Sequence, residues 1–290
     1  MKKIIINTIA LLAFSTAMFA GGPWPQPKGV GYFKLSEWWT SFDQHFTDEG
    51  SIDPNSTTGI YNTNFYGEYG ITNRFTVITN ANLFSRNVVN NQVSGTNGKV
   101  LISGDAYNGI GDIDLGFKYG LTNIGSKYPV SLTTTFGFPT GATGKGVQGN
   151  LATGDGEFNQ LIQVDAGTGL QLGKLNAYIS TYAGFNNRTN GFSEEIRFGG
   201  EFGVGLANSK LWITTKINVV ESLKNGDTAE STNSTSIFAN NTEYASFTVE
   251  ANYYISQRVG ISANFAGAFR GEIIAAAPSY SLGVFYDMGK

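Results

Sequence analysis

Hydrophobic and polar residues alternate one by one along most of this chain. Between 109 and 121, Ile113, Leu115, Phe117, Tyr119 and Leu121 fall on one side of an extended strand, opposite Asp112, Asp114 and Lys118. Between 193 and 206, Ile196, Phe198, Phe202, Val204 and Leu206 oppose Glu195, Arg197 and Glu201. Between 241 and 255, Phe247, Val249, Ala251 and Tyr253 oppose Ser246, Glu250 and Asn252. This is the two-residue period of a strand with one apolar face. Turn signals divide the pattern into about twelve strands, over 30–41, 58–70, 74–86, 109–121, 128–138, 158–171, 174–187, 193–206, 210–222, 241–255, 258–270 and 278–289. No helix-period segment of useful length interrupts them.

The connections alternate between short and long. Ile71-Thr72-Asn73, Thr122 to Lys127, Leu172-Gly173, Ala207-Asn208-Ser209 and Ser256-Gln257 are short; 42–57, 87–108, 139–157 and 223–240 are long, with smaller members at 188–192 and 271–277. A soluble sandwich has no reason to alternate loop length in this way. A transmembrane up-and-down barrel does, with tight periplasmic turns, longer outer loops and both termini inside. The expected fold class is therefore all-β, an antiparallel membrane barrel over 21–290.

Composition supports a lipid-facing surface. Hydrophobic residues make up 41% of the chain, 38 residues are Gly, and only 14% are charged, against about a quarter in soluble domains. Met1-Lys2-Lys3, an apolar run from Ile4 to Phe14, and small residues Ser15, Ala17 and Ala20 read as a secretory signal over 1–20. Ala17 and Ala20 both remain open as the last residue removed, Met18 being an awkward residue for a cut after Ala20. Later apolar runs such as Ile273 to Ala277 are too short to cross as helices. Removing Lys2 and Lys3 from the 19 basic residues leaves 17 against 22 acidic ones, a net charge of −5. That balance argues against a nucleic-acid partner. There is no Cys, so disulfides and thiolate metal sites are excluded.

Strand parity assigns an inward face. Its basic members are Lys34, Arg74, Arg86, Lys118, Arg197, Lys216 and Arg270; its acids are Glu68, Asp112, Asp114, Asp165, Glu195, Glu201, Glu250 and Asp287. The signs nearly balance, as expected for a structural ion-pair network or for a polar conduit without strong ion selectivity. Tyr66, Tyr178 and Tyr182 share this parity and offer a surface to an apolar or aromatic solute, or simply fill the lumen. Trp38 and Trp39 are expected at the outer interface, with Tyr119, Tyr253 and Tyr286 toward the inner one. Glu37 and Glu194, exceptions by parity, are expected near outer strand ends, where a lipid-facing acid costs little.

Other chemistry is thin. His45, the single histidine, falls in Asp43-Gln44-His45-Phe46-Thr47-Asp48-Glu49, expected to lie in the first outer loop as a solvated acidic run rather than a metal site. It has no recognisable Ser partner for lipid hydrolysis. Gly141 to Gly146 lacks the spacing of a phosphate-binding loop and reads as flexible. Asp112 and Asp114 sit in a strand without the remaining ligands of a calcium site. No cofactor and no metal are expected.

The final strand, Ser281-Leu282-Gly283-Val284-Phe285-Tyr286-Asp287-Met288, resembles the C-terminal signal of outer-membrane barrels, without their usual terminal Phe. Gly109 to Tyr119, the turn Tyr69-Gly70-Ile71-Thr72-Asn73-Arg74-Phe75, Phe138-Pro139-Thr140-Gly141 and Thr153-Gly154-Asp155-Gly156 resemble an outer-membrane barrel family labelled for the meta-pathway of phenol degradation. The segment Pro23 to Trp39 resembles Bacteroidetes-type versions of it. The resemblance implies a transport-type barrel in a Gram-negative outer membrane, with no catalytic residues to carry over. Expected partners are outer-membrane lipid and lipopolysaccharide, the barrel-assembly machinery through the last strand, and a small solute. The solute-path candidates are Lys34, Tyr66, Glu68, Arg86, Asp112, Asp114, Lys118, Asp165, Tyr178, Tyr182, Arg197, Glu201, Lys216 and Glu250. A lipid-acting barrel enzyme and a structural or adhesive barrel with a blocked lumen are the competing classes. Lys118→Gln is expected to be mild.

Overall fold

The computed structural model describes residues 21–227 and 238–290; the secretory signal expected over 1–20 lies outside them. Among the described residues sixteen strands form in chain order. They are β1 (Gly31–Phe46), β2 (Ile52–Gly70), β3 (Phe75–Val89), β4 (Gln92–Val93), β5 (Val100–Ile102), β6 (Asp105–Gly109), β7 (Ile113–Gly120) and β8 (Val130–Phe138). There follow β9 (Asn159–Leu172), β10 (Leu175–Arg188), β11 (Glu195–Leu206), β12 (Leu211–Ser222), β13 (Glu243–Tyr254), β14 (Val259–Glu272), β15 (Ile274–Ala275) and β16 (Ser279–Asp287). Each long strand pairs antiparallel with its chain neighbours, and β1 pairs with both β2 and β16. The sheet therefore closes as a 12-strand barrel in which β6 and β7 together make one interrupted strand. Closure leaves no unpaired edge, the condition for strands to stand in hydrocarbon.

The burial pattern is inverted relative to a soluble protein. Leu35, Leu83, Ile162, Ile217, Leu282 and Val284 are exposed, while Glu68, Lys118, Asp165, Ser131 and Thr76 are buried. Apolar side chains cover the outside, and polar ones satisfy one another within. A closed barrel with such an outer band, and tyrosines such as Tyr69, Tyr119, Tyr253 and Tyr286 outward near the inner turns, is a bacterial outer-membrane protein. Tyr32 pairs with Asp287, so both ends of the barrel chain lie at the rim of the short turns.

Four expectations change. The first is loop length. β1 and β2 continue to Phe46 and from Ile52, so the first outer hairpin stands as strand, and the β4–β5 hairpin lies within the second. His45 is consequently not in a loop but in β1, opposite Asp53 and Ala275, its Nδ1 buried without a hydrogen-bond partner among the described residues. Glu37 lies within β1 rather than near its outer end, and its carboxylate accepts a hydrogen bond from Thr63 Oγ1 at 2.8 Å.

Two β-bulges account for the second change. Thr63 pairs with Phe84 but Asn64 with Asn82, so Leu83 is an extra residue in β3. Parity inverts across such a residue: Asn80 and Asn82 point inward below it, and Ser85 and Asn87 point inward above it. Arg86, expected in the lumen, therefore faces outward, exposed beside Tyr61 and bonded to Asn108 at 2.8 Å. Phe269 does the same in β14. Arg270 is turned outward and pairs with Glu221 on the outer surface. Third, Arg74 lies in the turn between β2 and β3 and bonds Asn123 of the next inner turn. Fourth, Trp38 points inward, against the buried cluster of Phe42, Ile60 and Ala275; Trp39 alone faces out, stacked on Tyr280 at 5.9 Å.

Candidate functional site: an inserted segment and a chamber in the lumen

The chain ahead of β1 enters the barrel. Gly29 N donates to Gly70 O at the inner rim (2.8 Å), and Lys28 N donates to Asn73 Oδ1 (2.9 Å). Deeper, Gln26 N donates to Thr76 Oγ1 and Gln26 Nε2 to Glu68 Oε2, both at 2.8 Å. Gly21 N reaches Glu68 Oε1 at 2.8 Å, and Trp24 meets the Tyr178 ring edge-on at 5.6 Å. Small residues on the wall make room for this segment. A Cβ on Gly120 would lie 2.9 Å from Pro25 Cγ, and one on Gly167 would lie 3.0 Å from Pro23 Cγ. The prolines hold an extended path without needing ladder partners.

Glu68, Lys118 and Asp165 form the buried seat beneath the segment. Glu68 is fully buried and also accepts from the Tyr66 hydroxyl; Lys118 Nζ lies 3.8 Å from it. Asp165 accepts from Thr133 Oγ1 (2.9 Å) and Gln163 Nε2 (2.6 Å).

Above this seat lies a chamber of about 450 Å³. Gly21 bounds it, with Tyr32, Lys34, Ser36 and Trp38 of β1, Asn62, Asn64 and Tyr66 of β2, and Asn80 and Asn82 of β3. Lys216, Glu250, Ser281 and Phe238, the last from the loop before β13, complete the lining. Asn64 Nδ2 donates to Asn80 Oδ1 (2.9 Å) and Asn82 Oδ1 (3.1 Å), which makes a carpet of amides on one wall. Lys34 pairs with Glu250 at 3.2 Å, and Lys216 with Glu201 at 2.8 Å. The space falls within the roughly 300–1,000 Å³ of small-molecule sites.

Outer loops fold in over the top. Asp112 lies in the break between β6 and β7, not in a strand, and accepts from Gly141 N (2.9 Å) and Asp155 N (3.1 Å). Arg188 binds Asp155, Glu157 and Glu195 at 3.1, 2.8 and 2.8 Å and covers the Phe192 ring. Leu151, Ala152 and Thr153 are buried, so the 139–158 loop, expected to be flexible around Gly141–Gly146, is pinned to the barrel instead. Burial pushes the Asp155 and Glu157 carboxyls above the usual carboxylate range; the neighbouring Asp112 charge adds to this at Asp155. Their folded pKa is raised, so protonation as pH falls through the shifted range relieves a desolvation cost.

Of the residues assigned to a solute path, Lys34, Tyr66, Lys216 and Glu250 line the chamber. Asp114 bonds Asn80 at 3.2 Å, and Arg197 Nη2 pairs with Glu195 at 2.6 Å. Tyr178 and Tyr182 are inside, but Trp24 covers the first, whose hydroxyl binds Glu201, and the second donates to Asn218 Oδ1 at 3.0 Å. Arg86 lies outside the path altogether. Arg86→Ala should therefore leave single-channel conductance at its parent value; a changed conductance would place the guanidinium back in the lumen. Sequence reasoning missed the Asn62, Asn64, Asn80 and Asn82 wall, which inward parity alone could have flagged, and it missed the inserted segment.

No family model matches the chain, and no curated protein does. Solved structures do. An outer membrane channel from Pseudomonas putida F1 aligns with 93% of this chain and 99% of its own, at 13% identity and a TM-score of 0.56. The β domain of the Bordetella autotransporter BrkA aligns over 90% and 100%, at 12% identity and a TM-score of 0.50. The NanC porin aligns over 88% and 98%, at 9% identity and a TM-score of 0.48. At these identities the likeness to the first two is one of fold.

Proposed function

We propose that this barrel carries a small solute passively across the outer membrane through its lumen, by way of the central chamber. The observation that carries this reading is the chamber itself, a half-open space lined by paired charges, amides and aromatic rings, with both polar and apolar surface. Its lining suits a solute with an apolar or aromatic face and hydrogen-bonding groups. Trp38, Tyr32 and Tyr66 supply rings, and the asparagines supply both donors and acceptors. Balanced pairs leave little net field for ion selection. Passage requires the inserted segment to shift, so the inner mouth is the gate. The role of β16 in recognition by the assembly machinery belongs to the same proposal.

The test is single-channel recording and liposome swelling with the refolded barrel. Small aromatic solutes bearing hydroxyl groups should enter faster than charged solutes of equal size, and Trp38→Ala should reduce that preference. His45→Ala should leave flux unchanged, and the parent protein should hydrolyse no lipid. The inserted segment gives the structural reading one specific support, because it lies inside the barrel at the inner mouth. An electrically silent and solute-impermeable barrel would decide for that reading, whereas lipase activity lost in His45→Ala would make the protein an enzyme.

A further inference from the structure

We infer that the leader is cut between Ala20 and Gly21, and that the α-ammonium so released on Gly21 pairs with buried Glu68 to fix the inserted segment. Two independent observations support this. The first is position: Gly21 N lies 2.8 Å from Glu68 Oε1, inside the barrel and at the edge of the chamber. A cut after Ala17 would leave three more residues, two of them the bulky Met18 and Phe19, ahead of that nitrogen. The nitrogen of Gly21 would then be an uncharged amide.

The second observation is charge. Glu68 and Asp165 are buried acidic side chains, and Lys118 is the cation beside Glu68. The nearby lumen cations Lys34 and Lys216 are engaged by Glu250 and Glu201. With both acids ionised, an amide nitrogen at Gly21 leaves two negative charges against one positive, buried where an unpaired charge is costly. A terminal ammonium makes the cluster neutral. With an ordinary pKa of about 7.7–8.0 it is charged at neutral pH before any partner acts on it.

The covalent step is hydrolysis by a signal peptidase. Water adds to the Ala20 carbonyl carbon, the Ala20–Gly21 C–N bond breaks, and Ala20 leaves as a carboxylate. The proton that the resulting acid sheds goes to the Gly21 amine. Export and plugging are thereby ordered, since the cation that seats the segment exists only after the leader has gone.

The experiment has two arms, neither of which depends on solute passage. The N-terminal peptide of protein recovered from outer membranes should begin at Gly21 by mass; a start at Met18 or elsewhere overturns the inference. In the second arm, barrels refolded with and without an added Ser-Ala dipeptide before Gly21 are compared by heat-modifiable gel migration. The extension should lower the transition by several degrees in the parent and by much less in Glu68→Gln. An equal drop in both backgrounds, or none in the parent, overturns the pairing. If Glu68→Gln does not refold, the terminal mass and the effect of the extension on the parent still decide.

Discussion

Removal of residues 22–28 should convert a nearly closed barrel into an open one, with a several-fold rise in single-channel conductance and faster swelling of liposomes by small solutes. The expected effect is large because the segment crosses the inner mouth rather than lining it. Its contacts reach β2 through Glu68, β3 through Thr76, and β10 through the Tyr178 ring. The prolines meet Gly120 and Gly167 on two further strands, β7 and β9. Trp24→Ala should give a smaller rise, since it uncovers Tyr178 while the hydrogen bonds to Glu68 remain. Conductance unchanged by the deletion would mean that the permeation path runs beside the segment or that outer loops set the resistance. The second outcome is separable, because the 139–158 loop is held by Asp112 and Arg188, and Arg188→Ala should then be the variant that opens the pore.

The barrel was legible because its physical demand recurs at every strand: apolar on one side, polar on the other, for as long as the strand stands in lipid. Val284 and Leu282 opposite Ser281 and Gly283 carry the same message as Phe117 opposite Lys118. Where the demand weakens, the reading failed. Above the apolar band both faces meet water, and the strands of the first hairpin continue to Phe46 and from Ile52 without an apolar stripe to mark them. A bulge is one residue in a register, and nothing at Leu83 or Phe269 distinguishes it from a regular position, so Arg86 and Arg270 were placed on the wrong side. The inserted segment has no period at all. Its signature is a Pro-rich run, charged only at Lys28, whose partners, Glu68 and Thr76, lie more than forty residues away.

Substitution at two adjacent positions of β7 should damage the barrel by different routes. Phe117 faces lipid, stacked on Phe75 at 6.0 Å and edge-on to Phe136 at 6.2 Å. Phe117→Arg should cost about 2–4 kcal/mol if its level is near mid-membrane. Lys118→Gln was expected to be mild as a simple lumen change. The structure reverses that, because Lys118 is 2% exposed and lies 3.8 Å from fully buried Glu68. Removing the lysine strands buried carboxylates, and breaking such a pair costs about 3–5 kcal/mol. The two losses separate by compensation. Adding Glu68→Gln to Lys118→Gln should recover much of the heat stability, since the uncompensated charge is then gone, whereas the same addition to Phe117→Arg should lower it further, because buried Lys118 then loses its partner. Heat-modifiable migration of the four refolded variants reads this directly. Equal behaviour in the two backgrounds would show that Lys118 and Glu68 do not share their charge in the membrane, and the buried seat of the inserted segment would have to be drawn differently.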